Sequence, residues 1–130
     1  MQRDTVRTLL VVDDEVAVIR ALTQTFEHFP YRVVSTTDPY AALEILRADP
    51  SIDVLIADLF MPAMDGAALL EKSRGIRPGL PIILTTGMAS ESEIRRWRRK
   101  GKLLVEKPWL EDEIVKAVET VLAVEPSRKM

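Results

Sequence analysis

Cysteine is absent from the 130-residue chain, and histidine occurs once, at His28. The first absence removes disulfides, thiolate metal ligands and cysteine nucleophiles together. The second excludes a multi-histidine metal cluster and leaves a histidine-dependent triad only if a serine or threonine nucleophile lies beside His28. Long apolar runs are also missing: Leu9–Val12 and Val54–Ala57 fall far short of a membrane span. No apolar stretch follows the N-terminal charges, so no secretory signal is visible and the expected location is cytoplasmic. Neither sign of charge dominates. Eighteen Lys and Arg against 20 Asp and Glu give a net charge of −2, which is not that of a general polyanion binder.

What is present suffices for a core. Hydrophobic residues make up 47% of the chain, and its length suits one domain, expected over residues 1–124 with a short polar tail at 125–130. The apolar pattern alternates two periods. Thr8–Val12 reads as a strand buried on both faces, and Val16, Ile19, Leu22, Phe26 and Phe29 follow at helical spacing. Tyr31–Thr36 is β-rich; Asp38 then caps a helix with Pro39 at its first position, running to Ala48. Val54–Ala57 forms a third strand ending at Asp58, and a proline-containing loop, Phe60–Gly66, leads into a helix through Leu69 and Leu70. Strands at Pro81–Thr86 and Lys102–Glu106 flank a charged helix at Ser90–Lys100, and a helix over Trp109–Val124 closes the pattern. Five buried strands alternating with five helices predict an α/β fold, a doubly wound parallel sheet covered on both faces. In such folds chemistry gathers at the carboxyl ends of the strands, at the topological switch point.

Those strand ends are rich in chemistry. The first supplies Asp13 and Asp14, followed by Glu15; the third supplies Asp58; the fourth, Thr85 and Thr86; the fifth, Glu106 and Lys107 before Pro108. If the first and third strands are neighbours, Asp13, Asp14 and Asp58 share one pocket. Three crowded carboxylates repel, and a divalent oxygen-seeking cation such as Mg²⁺ resolves the repulsion. A lysine and a threonine hydroxyl beside them suit a phosphoryl group, where stabilising charge on the peripheral oxygens is most of the work. One carboxylate could itself be the nucleophile, giving an aspartyl phosphate.

The blocks "LLVVDDE", "DVLIADLFMPAMDG", "LPIILTTG" and "LVEKPW" resemble, in order and spacing, the signature of receiver domains of bacterial two-component response regulators. The resemblance runs from about Thr8 to Val124. It implies a flavodoxin-like (βα)5 fold with strand order 2-1-3-4-5, and a signalling switch instead of a metabolic enzyme. Asp58 matches the phosphoacceptor, served by a histidine kinase or a histidine phosphotransfer protein. Asp14 matches a direct Mg²⁺ ligand, Asp13 one acting largely through water, and the backbone carbonyl of Phe60 completes the protein's share with Asp58. Thr86 matches the switch hydroxyl, with Thr85 the alternative if the alignment slips by one. Lys107 matches the phosphoryl-contacting lysine, and its bond to Pro108 is expected to be cis. Output is expected through the surface of the fourth helix, fifth strand and fifth helix, to an output domain or partner protein. Leu104 departs from the pattern, because that position is often an aromatic ring coupled to the switch threonine.

Each signal has a plainer competitor. An Asp-Asp pair after a strand often caps the next helix, Asp58 could form a turn, and Lys107 could snorkel at the surface; only the four blocks together favour chemistry. His28 reads as structural, and Met61, Met64 and Met88 as packing. A phosphatase of the haloacid dehalogenase type would need an acid two residues after Asp58, where Phe60 stands. A silent interaction module would not need Asp13, Asp14, Asp58, Thr86 and Lys107 together. The run Arg95, Arg96, Arg98, Arg99, Lys100 and Lys102 is either a solvated face or a docking surface, in which Trp97 could anchor a partner. Direct nucleic-acid binding is not expected, since no reading motif accompanies it. Phe60 and Met88 occupy the two positions that, in the family resembled, tune access of attacking water. Both are bulky and apolar, so the phosphoryl group on Asp58 should outlive that of relatives with polar groups there. A half-life of seconds with Mg²⁺ present, followed by loss of protein-bound phosphate, would contradict this.

Overall fold

Runs of Leu, Ile and Val too continuous for a one-sided sheet build five strands: β1 (Arg7–Val12), β2 (Tyr31–Thr36), β3 (Ile52–Asp58), β4 (Ile82–Thr86) and β5 (Leu103–Glu106). Five helices alternate with them: α1 (Val16–Phe26), α2 (Pro39–Ala48), α3 (Gly66–Ile76), α4 (Glu91–Arg99) and α5 (Glu111–Ala123). The computed structural model describes residues 6–87, 89–100 and 102–123. Met88, the expected extension of the last helix to Val124, and the tail at 125–130 lie outside the described residues.

All strand pairs are parallel, and their order is β2-β1-β3-β4-β5, as the sequence resemblance implies. Alternation along the strands divides the core. Leu9, Val11, Val54, Ile56 and Ile83 pack with Leu22 and Phe26 of α1 and Ile114 and Val118 of α5. Their neighbours Leu10, Val12, Leu55 and Ala57 pack with Ala42, Leu43 and Leu46 of α2 and Leu69 of α3. The chain reverses direction of travel across the sheet between β1 and β3, which opens the crevice where the strand-end carboxylates sit.

Local signals start three of the helices. The Asp38 carboxylate accepts from the Tyr40 N–H at 2.9 Å with Pro39 at the first position, and Asp65 accepts from the Ala68 N–H at 2.8 Å. Ser90 and Glu93 form a reciprocal capping box on α4. Helix α1 is different: Glu15 stands at its N-cap but makes no side-chain cap bond. The Glu15 side chain is therefore not spent on capping, while Asp13 Oδ1 accepts the Glu15 N–H at 2.9 Å.

Two expectations are corrected. Helix α1 ends at Phe26, where the Glu27 N–H is shared between the Thr23 and Gln24 carbonyls. Pro30, which has no N–H to continue a helix, follows closely. Phe29 is thus off the helix and 38% exposed, and Val16 is 54% exposed. Trp97 is not a surface anchor. It is buried with Ile94, Leu59, Leu70, Leu84 and Leu104, since α4 has few other apolar residues with which to hold itself to the sheet.

The β3–α3 loop folds back on the end of β3 through Gly66, whose N–H donates to the Leu59 carbonyl at 2.6 Å. A Cβ at this position would lie 2.6 Å from Leu59 Cα and 3.0 Å from the Asp58 carbonyl oxygen, both backbone atoms. Gly66→Ala should therefore cost about 1–3 kcal/mol in urea unfolding, whereas Gly75→Ala, with nothing near the added carbon, should not destabilise.

Candidate functional site

Parallel register places the site. Val12 pairs with Ala57, so Asp13 and Asp58 emerge side by side from β1 and β3. Asp58 in turn pairs with Thr85 of β4, and Thr86 pairs with Glu106 of β5, immediately before Lys107. Backbone bonds extend these pairings into the loops: Leu59 N–H to the Thr85 carbonyl at 2.7 Å, and Lys107 N–H to the Thr86 carbonyl at 2.6 Å. The Lys107–Pro108 bond is cis, as expected.

Carboxylate oxygens of Asp13, Asp14 and Asp58 lie within 4.8 Å of one another. Asp13 and Asp58 are buried, and Asp14 faces solvent. Lys107 reaches into this group: its Nζ is 2.9 Å from Asp13 Oδ2, 3.5 Å from Asp58 Oδ2 and 3.6 Å from Glu15 Oε1. One ammonium serves three acidic side chains. Burial pushes the Asp58 carboxyl above its ordinary value; Lys107 pulls it down, while the Asp13 charge adds to the rise. Burial also disfavours the Lys107 ammonium, but the Asp13 hydrogen bond and the charges of Asp13, Asp58 and Glu15 prevail and hold its pKa above the ordinary value. A hard, all-oxygen donor set with one open, solvent-facing member suits Mg²⁺ chemically.

Each residue singled out in the sequence can now be placed. Asp13, Asp14, Asp58 and Lys107 come together. Phe60 begins the loop beside them: its N–H points at Asp58 Oδ1 at 3.4 Å, and its ring is 42% exposed. Thr86 is buried, and its hydroxyl accepts from the Ala89 N–H at 3.2 Å, which ties the end of β4 to the loop entering α4. Thr85, the alternative, is one residue out of phase on the strand and so faces the opposite side of the sheet. Leu104 is buried in the same cluster as Trp97. His28 is exposed in the turn after α1, and Met61 and Met64 are buried in the α2–α3 core. Sequence reasoning offered Glu15 only as a cap for the next helix, a bond it does not make. Its place directly after Asp13 and Asp14 is the one signal of its contact with Lys107.

Residues 9–119 match the family model described as response regulator receiver domain. The chain is 30% identical over 116 residues to the "Probable transcriptional regulatory protein TcrX" of Mycobacterium tuberculosis, covering 88% of this chain and 49% of that protein. It is 32% identical over 130 residues to a protein-glutamate methylesterase/protein-glutamine glutaminase of Anaeromyxobacter dehalogenans, covering 92% of this chain and 36% of that one. The chain thus spans half or less of the length of these relatives. Among solved structures, a CheY-like receiver domain protein from Methanospirillum hungatei superposes with a TM-score of 0.84 at 24% identity, over 96% of this chain and all of that one, which bears on the fold.

The raised Asp58 pKa gives a prediction for the metal-free protein. The folded state holds the proton more tightly than the unfolded state, so ionising Asp58 costs stability as pH rises through its folded pKa. Asp58→Asn should raise the metal-free unfolding midpoint near neutral pH by about 2–6 °C. The gain should shrink as pH falls through that pKa. An equal or lower midpoint at neutral pH would contradict the electrostatic account.

Proposed function

The chain belongs to the response regulator receiver domain family, and we propose that it is a phosphorylation-controlled switch whose Asp58 accepts a phosphoryl group. The observation that carries this reading is Lys107 reaching both Asp13 and Asp58 beside an acidic trio. That arrangement is poorly balanced for a resting structure and well suited to a phosphoryl group. The donor is a histidine kinase or histidine phosphotransfer protein. An Asp58 oxygen attacks phosphorus, forming a P–O bond as the donor's P–N bond breaks and its electron pair returns to the imidazole. Lys107 Nζ, already 3.5 Å from Asp58, then pairs with a phosphoryl oxygen. A Mg²⁺ held by Asp13, Asp14, Asp58 and the Phe60 carbonyl would supply positive charge against the phosphoryl oxygens.

Aspartyl phosphate brings about −1.5 to −2 charge, in place of the single carboxylate charge. The Thr86 hydroxyl turns toward it, and this exchange loosens its bond to the Ala89 N–H and frees the β4–α4 loop. Output passes through the α4–β5–α5 surface to an output domain or partner protein, without direct nucleic-acid contact. The receiver unit is residues 1–124. No described helix is long and apolar enough to cross a membrane, and the cytoplasm, where kinases phosphorylate, is the location that fits this reading.

Intact mass after incubation with Mg²⁺ and a small acyl-phosphate donor tests the reading. The expected result is a gain of one phosphoryl group that is lost in Asp58→Ala and on chelation. A gain persisting in Asp58→Ala would place the chemistry elsewhere. No gain, together with no binding of a beryllofluoride mimic, would make the chain a silent interaction module.

A further inference from the structure

Helix α4 carries an unusual concentration of charge. Arg95, Arg96, Arg98, Arg99 and Lys100, with Lys102 just beyond, are six of the 18 basic residues; without them 12 basic residues would face 20 acidic ones. Ile94 and Trp97 fix the buried side of the helix. Arg95, Arg96 and Arg99 therefore fall on its outward side, at one-turn spacing, and all three are exposed.

Two of the remaining cations of the run are engaged. Arg98 donates to the Leu104 carbonyl at 3.3 Å, and Lys100 lies 5.4 Å from the centre of the Trp97 ring. Arg95 has only a loose pairing with Glu91 at 3.9 Å, both groups largely in water, which is worth little. Among the described residues, Arg96 and Arg99 have no ion-pair partner. Three guanidinium forks on one face of a nine-residue helix, itself seated by a buried tryptophan, offer bidentate donors to carboxylates.

We propose that this Arg95–Arg96–Arg99 face docks a short acidic segment of a partner protein. The inference rests on the switch reading, which assigns output to the α4–β5–α5 surface. Charge complementarity selects the occupant. A duplex or other long polyanion extending past the helix would meet Glu106, Glu111, Asp112 and Glu113, all exposed at the neighbouring end of β5 and start of α5. A short acidic segment is not forced across them. The groove along the open edge of β5 is lined by Arg98 and Lys116 but equally by Glu106 and Glu113, so its charges balance and the segment lies over α4 and not within the groove.

The test is fluorescence anisotropy of a labelled oligoglutamate peptide titrated with the full chain, with a short DNA duplex as the second probe. The peptide should bind, and Arg95→Glu/Arg96→Glu/Arg99→Glu should weaken it by at least about tenfold. The conservative triple Arg→Lys variant keeps the charge but loses the forks, and should weaken binding by at least about threefold. Unchanged peptide binding in either variant, or tighter binding of the duplex, would overturn the proposal. Phosphoryl gain at Asp58, measured by mass in the same Arg→Glu variant, reports on the switch independently, so failure of docking and failure of the switch reading are told apart.

Discussion

The Lys107 ammonium among Asp13, Asp58 and Glu15 is the interaction on which the rest of the site depends. Two unit charges about 4 Å apart interact by roughly 4 kcal/mol at an effective dielectric of about 20. A single cation cannot offset the mutual repulsion of every acidic pair around it. The fold tolerates this because the sheet behind is rigid: β1, β3 and β4 are central strands, packed on both faces by apolar residues.

Much of the architecture was readable from period and punctuation. The limits of β2 and α2 agree with the sequence reading because Asp38, Pro39 and the Asp49–Pro50 pair mark them chemically. The carboxylate trio was readable too, because a parallel sheet converts residues that end successive strands into spatial neighbours. Phe29 misled because helical spacing continues past the point where the backbone turns ahead of Pro30. Trp97 misled for a different reason. The residues flanking it are charged, while its neighbours in space come from α3, β4, β5 and Leu59 just after β3, which no local pattern reveals. Glu15 joined the Lys107 group unannounced, since its side chain, as an N-cap, would ordinarily have turned to its own helix.

The α4–β5 side is built differently from the pattern the sequence resembles. Leu104 replaces a ring, and the aromatic bulk comes from Trp97 on α4, in one cluster with Leu84 of β4, two residues before Thr86. On the proposed switch, this packing would link Thr86 to the seating of α4 without a swinging side chain. The arginines on the far side of that helix ride on the same rigid body, so a shift of α4 displaces the charged face as a unit.

On the proposed reading, a divalent cation held by Asp13, Asp14 and Asp58 would offset the repulsion among them. Thermal unfolding of the full chain at neutral pH, with and without Mg²⁺ at ~10 mM, compared with Asp13→Asn/Asp58→Asn, tests it most directly. With a cation held there, the midpoint should rise by about 3 °C or more in the native chain and change little in the double variant. Equal responses of the two proteins, or none in either, would contradict it.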